Sequence, residues 1–238
     1  MAAPSDLDQR TPTEVVAIDG PSGAGKSTIA RRLAAELGYR FLDTGAMYRA
    51  ITLHFIRRGV TPASHAGADA SERIQSALGD AGLRLAGDRV LLSGDDVTQH
   101  LRTREVESQV SAVSALPVVR ACMGDLQREV AMHGPVVAEG RDMTSVVFPR
   151  ARWKIYLDAA PAERARRRCA DFARQGRDVV EQDVLEEIIV RDRLDSTRAD
   201  APLKQAADAL YVDTTDMPAE SVIDLLMRHV RGVEEGGL

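Results

Sequence analysis

Two rhythms of apolar and polar positions alternate along this chain. Val15-Val16-Ala17-Ile18 is a short β-branched run stopped by Gly20-Pro21, and Ile29, Leu33 and Leu37 then fall at helical spacing from Lys26 until Gly38 closes the segment. The reading is strand, glycine loop, helix. Phe41-Leu42 begins a second strand, followed by a helix from Gly45 to Arg58 that Gly59 ends. Pro135 to Ala138, Trp153 to Leu157 and Ala209 to Val212 are further strands, each followed by a helical segment. This order predicts βαβ units and an α/β core, with a parallel five-stranded sheet flanked by helices.

Residues 60–110 break the rhythm. Arg84-Leu85 and Val90-Leu91-Leu92 flank a Gly87-Asp88 turn, and Gly94-Asp95 turns again, so a small antiparallel meander is expected there. A helical stretch from Glu105 to Met132, broken near Pro117, follows it. A second one, Pro161 to Arg198, holds a hinge at Gln175-Gly176-Arg177. The expected organisation is a disordered tail at 1–13, a core of 14–60 and 110–234 with a helical lid near 165–185, and an inserted subdomain at 61–109.

Composition narrows the function classes. At 238 residues, 44% hydrophobic and 28% charged, the chain falls in the globular class and is long enough for one large domain or a core with an inserted subdomain. A net charge of −5 and an aromatic content of 4% exclude a nucleic-acid polymer as partner, which would call for a basic surface or stacking rings. Cys122 and Cys169 make no disulfide framework, and no Cys/His spacing resembles a zinc site. With no apolar run of membrane-spanning length and no signal-peptide region, the expectation is a cytoplasmic protein with no membrane partner. The chain has no asparagine, and its lysines are Lys26, Lys154 and Lys204 against 28 arginines. Such a bias is what a G+C-rich genome produces, so an arginine here carries less information than usual.

Gly20-Pro21-Ser22-Gly23-Ala24-Gly25-Lys26-Ser27 matches G-x-x-x-x-G-K-S/T at every specified position, between a strand and a helix. Backbone N–H groups of this loop, with Thr28 just inside the helix, would cradle the phosphates of ATP. Lys26 would reach the β- and γ-phosphates, and Ser27 would ligate Mg²⁺. Three classes of nucleotide enzyme then compete. A GTPase switch needs Asn-Lys-x-Asp, which a chain without asparagine cannot supply. A motor ATPase needs a strand ending in a carboxylate, which Val136-Val137-Ala138-Glu139 offers, and coupling motifs, which are missing. A small-molecule kinase needs a second polar set to hold an acceptor.

The remaining constellations suit the kinase. In Asp43-Thr44-Gly45-Ala46-Met47-Tyr48-Arg49, Thr44 can cap a helix while Asp43 faces the metal; a capped helix with a solvated arginine reads the same residues equally well. Glu139-Gly140-Arg141-Asp142 ends a core strand and sets alternating charges on the rim, as a site or as a structural ion pair. Arg164, Arg166, Arg167 and Arg168 are either a solvated helix face or lid cations, with Arg164 and Arg168 on one face. Arg191, Asp195 and Arg198, at i, i+4 and i+7, share a helix face and suit intrahelical pairing as well as a ligand.

Taken together these residues resemble bacterial cytidylate kinases over nearly the whole chain. The resemblance is carried by Ile18 to Ser27, Leu42 to Arg49, Glu139 to Asp142 with Val146-Val147-Phe148-Pro149, Arg191-Asp192, and Asp195 to Arg198 with Ala201-Pro202-Leu203. It implies ATP-dependent phosphorylation of CMP and dCMP with Mg²⁺, by a monomer of nucleoside-monophosphate-kinase fold whose meander lies in the acceptor-binding region. It further implies that Ser111 and Asp142 read the cytosine edge with Arg120 beside them. Thr44, Tyr48, Arg49, Arg141 and Arg198 would hold the acceptor and its phosphate, with Arg191 and Asp195 near the sugar. An ionised Asp accepts from the exocyclic amine of cytosine and meets the carbonyl of uracil acceptor against acceptor. Two departures stand out: Thr44 replaces a frequent Ser, and Met143-Thr144-Ser145 replaces the Gly-Thr that usually precedes Val-Val-Phe-Pro.

Overall fold

The computed structural model describes residues 14–60, 70–174 and 176–232. Residues 1–13, where a tail is expected, the stretch 61–69 and Gln175 of the expected hinge lie outside them. In chain order the elements are β1 (Val15–Asp19), α1 (Lys26–Leu37), β2 (Arg40–Asp43), α2 (Thr44–Arg57), α3 (Ala70–Asp80), β3 (Arg84–Ala86), β4 (Arg89–Leu92) and β5 (Asp95–Asp96). After a 3₁₀ turn at Thr98–His100 come α4 (Arg104–Ser114), α5 (Pro117–Met132) and β6 (Val136–Glu139). A π-type turn at Met143–Val147 leads to β7 (Trp153–Asp158), α6 (Pro161–Arg174), α7 (Glu181–Thr197), β8 (Leu210–Asp213) and α8 (Ala219–Arg231). The chain divides into two compact units, one formed by residues 1–42 with 128–238 and the other by Asp43–Gln127.

The first unit is built on a five-stranded sheet of order β2-β6-β1-β7-β8, in which β1 pairs in parallel with β6 and β7, and β7 with β8. Every residue of β1 is buried, as a central strand covered on both faces requires. Ile29, Leu33 and Ala34 of α1 and Val222, Ile223 and Leu226 of α8 join Val16, Ile18, Ile155 and Leu157 of the sheet in one core. Burial of each such Leu or Ile contributes about 1.5–3 kcal/mol. The register sets Ile18 opposite Glu139 and Asp19 opposite Tyr156, so the C-terminal ends of β1, β6 and β7 share one rim. Ligands of open α/β sheets bind outside that rim. Gly38 stops α1 in the left-handed conformation, its N–H reaching Ala34 and Ala35 carbonyls. Helices α6 and α7 pack together through Ala165, Phe172, Val184 and Ile188.

In the second unit α2 packs on α4, whose Val106, Val110 and Val113 are buried. The expected meander is present as the sheet β3-β4-β5. Two expectations are corrected. Asp95 begins the third strand of the meander rather than sitting in the turn, because Leu91 and Leu92 pair with Asp96 and Asp95. Helix α3 was not foreseen: with Ile74 and Ala77 as its buried residues, its apolar stripe is too thin to read in a segment dominated by turn signals.

Candidate active site

The glycine loop leaves the end of β1 as a tight wrap. Gly20 has φ +149°, and a Cβ there would lie 1.9 Å from the Leu157 carbonyl oxygen, so only glycine lets the loop pass this close to β7. Gly25 enters α1 with φ +84° and no side chain caps the helix, which leaves its first N–H groups facing the loop. Lys26 is buried, and its Nζ donates to the Pro21 carbonyl at 2.7 Å, spanning the loop from within. Burial pushes the Lys26 ammonium down to about 7; the charge of Arg141 and, more weakly, Arg191 acts the same way, against Glu139 and Asp19. Thr28, one residue past Ser27, is exposed on α1.

Ser27 Oγ donates to Glu139 Oε1 at 2.6 Å, which brings the first turn of α1 to the end of β6. Beside it, Arg141 Nε donates to Asp195 Oδ2 at 2.9 Å, and its Nη1 donates to the Gly140 carbonyl. Burial acts to raise the Asp195 carboxyl, but Arg141, Arg191 and Arg198 outweigh it and hold it below the usual carboxylate range. Asp195 therefore collects charges from two parts of the chain instead of making a purely intrahelical pair. Arg198 is not on the helix face with Arg191 and Asp195: α7 ends at Thr197, Arg198 turns to extended backbone, and its Nε donates to the Ala201 carbonyl. Asp142 is buried at the head of the π-type turn. Met143, the first residue of that turn, is fully buried.

The arginines of α6 separate by environment. Arg164 is 4% exposed; its Nε donates to the Ala159 carbonyl, and its Nη1 donates to the Ser22 carbonyl at 3.0 Å and pairs with Asp192 Oδ2 at 2.7 Å. It is no solvated face. Arg166 pairs with Glu163 on the surface, Arg167 bonds Glu163 and Thr214, and the Arg168 guanidinium lies 5.1 Å from the Phe172 ring centroid. The bonds of Arg166 and Arg167 hold the Glu163 carboxyl down at about 2.

Within the second unit, Asp43 rather than Thr44 caps α2: its Oδ1 accepts the Ala46 N–H at 2.8 Å, and Thr44 is the first helical residue, buried. Asp43 precedes the helix in extended backbone, the geometry a capping side chain needs. The Arg120 guanidinium stands 5.8 Å from the Tyr48 ring centroid and donates to the Ser114 carbonyl. Ser111, half-buried, lies one turn earlier, its carbonyl accepting from Ser114 Oγ. Arg49 Nη1 lies over Gly45, 3.0 Å from where a Cβ would stand.

Sequence reasoning missed Asp192, the partner of Arg164, and left Glu139 outside the metal-binding set. Glu139 was visible as a carboxylate ending a strand; the contact with Ser27 spans 112 positions and leaves no local trace. Among the described residues, no group of three or more His, Cys, Asp or Glu side chains is arranged to hold a metal, and no helix is long and apolar enough to cross a membrane.

A parallel sheet whose central strand runs into a lysine-bearing phosphate loop, with a carboxylate from the next strand on the loop serine, defines a P-loop nucleotide-binding protein. The family model "Cytidylate kinase" matches residues 16–232. A cytidylate kinase of Mycobacterium leprae is 49% identical over 218 residues, covering 91% of this chain and 95% of that one. Its counterpart in Pelotomaculum thermopropionicum is 46% identical over 220 residues, with 90% and 95% covered. The chain belongs to the cytidylate kinase family, and is an enzyme of the nucleoside monophosphate kinase class.

Proposed function

We propose that this enzyme transfers the γ-phosphoryl of ATP to CMP and dCMP, through the following residues. Gly20 to Thr28 cradle the ATP phosphates, and Lys26 neutralises charge on the β- and γ-oxygens. In the step itself an oxygen of the CMP phosphate forms a bond to the γ-phosphorus as the bond to the β,γ-bridging oxygen breaks in line, releasing CDP and ADP. No general base is needed, because a phosphate monoester has its second pKa near 6 and is largely ionised at neutral pH. Arg164 and Arg168 serve as cations of a lid over the transferring group; closure would exclude water and suppress hydrolysis.

Mg²⁺ fits the donors at hand. Ser27 Oγ and the Glu139 carboxylate are adjacent hard oxygens, and Mg²⁺ is usually held by one or two protein groups plus substrate phosphates. Ser27 would be the protein ligand, Glu139 would orient its hydroxyl, and Asp43 is the further acidic residue we assign to the ion. When bound, the ion supplies charge neutralisation between the β- and γ-phosphates.

The segment Asp43–Gln127, with the stretch 61–109 expected as an insertion, is the acceptor-side unit. Thr44, Tyr48 and Arg49 take the CMP phosphate and sugar side, and Ser111 with Arg120 takes the base. Arg141 and Arg198 are assigned to the phosphate, Arg191 and Asp195 to the sugar, and Asp142 to the cytosine amine. We read the enzyme as a cytoplasmic monomer of pyrimidine metabolism.

The observation that carries this reading is the Lys26 loop with the Ser27–Glu139 contact, in a chain of the cytidylate kinase family. The test of the base-reading assignment is Asp142→Ala, with kcat/KM measured for CMP and UMP. The CMP preference should fall about 10-fold or more, the scale on which a site rejects a mispaired polar edge. An unchanged ratio removes Asp142 from that role.

A further inference from the structure

Asp19 closes β1, directly before Gly20, and is 0% exposed. A buried carboxylate is costly unless its oxygens are occupied, and here both are. Oδ1 accepts the Met143 N–H at 2.8 Å, and Oδ2 accepts the Thr144 N–H at 2.8 Å and the Thr144 hydroxyl at 2.6 Å. All three donors belong to the turn that Asp142 heads. The peptide unit joining Asp142 to Met143 is thereby fixed at both ends. Its N–H is bound to Asp19, and its carbonyl accepts from the Val146 and Val147 N–H groups at 2.9 and 3.1 Å. Upstream, Gly140 N–H donates to the Ile18 carbonyl, so the segment carrying Arg141 and Asp142 is tied to β1 on both sides.

We propose that Asp19 is a positioning residue for the acceptor base: its carboxylate holds the backbone of the 142–144 turn so that the Asp142 side chain is presented in one orientation. This deepens the reading of Asp142 as the cytosine-reading group and rests on it. Asp19, fully buried, presents no surface of its own to a ligand. A carboxyl group suits the task because each of its oxygens can accept one of the two backbone N–H groups. Burial pushes the carboxyl up to about 6, with the Thr144 hydroxyl and the two backbone donors pulling the other way, so the group is ionised at neutral pH. An amide in its place turns one acceptor into an NH₂ and sets donor against donor at Met143 or at Thr144, whichever way it is flipped. The backbone of the phosphate loop is held independently, by the β1 ladder and the close pass of Gly20 against Leu157; the Asp19 charge also supports the Lys26 ammonium, so the Thr144 variants, which keep that charge, are the ones whose effect falls on the acceptor and not on ATP.

The experiment measures KM for CMP and for ATP, and the CMP-to-UMP ratio of kcat/KM, in Asp19→Asn, Thr144→Val, Thr144→Ser and Asp142→Ala, with thermal unfolding as the check of folding. Asp19→Asn should raise the CMP KM about 10-fold and lower the CMP-to-UMP ratio about as much; because it also removes a charge acting on Lys26, the ATP KM is read in the Thr144 variants, where it should stay within about twofold. Thr144→Val, which removes one donor and keeps the shape, should move the same two quantities about threefold; Thr144→Ser should recover them. If Asp19→Asn does not fold, the pair at Thr144 decides. The inference is overturned if folded variants keep the CMP KM and the ratio, or if in Thr144→Val the ATP KM rises as much as the CMP KM. Erosion of the ratio in Asp142→Ala without any in Asp19→Asn defeats this inference alone, whereas an unchanged ratio in Asp142→Ala defeats the base reading and this inference together.

Discussion

The Ser27 hydroxyl and the Glu139 carboxylate, 112 positions apart in sequence, are joined by a 2.6 Å hydrogen bond at the rim of the sheet. A carboxylate there orients the serine oxygen and adds negative charge where a dication would sit. Glu139→Ala should lower kcat about 100-fold at low millimolar Mg²⁺, with part of the loss recovered as Mg²⁺ is raised, since a catalytic metal is worth several kcal/mol of charge stabilisation. Steady-state rates across a Mg²⁺ titration are the check.

Lys26 gives a prediction in two directions. In the nucleotide-free protein burial holds it at about 7, against about 10.4 unfolded. Between these values the unfolded chain binds more protons than the folded one, so this group makes stability rise with pH from about 7 to about 10. Its penalty is fully present below about 7. Lys26→Met should remove most kinase activity while flattening that rise, and should leave the nucleotide-free protein at least as stable as wild type at pH 7. Thermal unfolding from pH 6 to 10 measures it. ATP, which should raise the wild-type Tm by stabilising the charged form, should protect the variant far less.

Arg164 and Arg168 should part company. Arg164 is buried on the Ser22 carbonyl and Asp192, the latter partly exposed, so Arg164→Ala should cost about 2 kcal/mol of stability as well as turnover. Arg168→Ala, lost from the face of Phe172, should lower kcat with a Tm change of no more than about 2 °C. Paired kcat and Tm values separate a loop-holding arginine from one used only in transfer.

The division between what was legible and what was not follows range. Val15 to Ile18, the glycine loop and α1 are local patterns, and their limits could be read directly; so could the break at Pro117, which starts α5. Contacts between distant residues could not. Asp19 looks like the polar end of a strand until the turn 124 and 125 positions away closes on it. Arg198 shared a helical period with Arg191 and Asp195, yet α7 ends one residue earlier; periodicity names a face and not where the helix stops. That Asp43 and not Thr44 caps α2 is a one-residue shift of the helix start, which side chains alone do not settle because both are good caps.

The most direct measurement is an acceptor panel. Purified enzyme with ATP and Mg²⁺ is offered CMP, dCMP, UMP, AMP and shikimate, and ADP release is followed with the phosphorylated product identified. CMP and dCMP should turn over with the highest kcat/KM and yield CDP and dCDP. Turnover of AMP or shikimate exceeding that of CMP, or ATP binding without any CDP formed, would contradict the account.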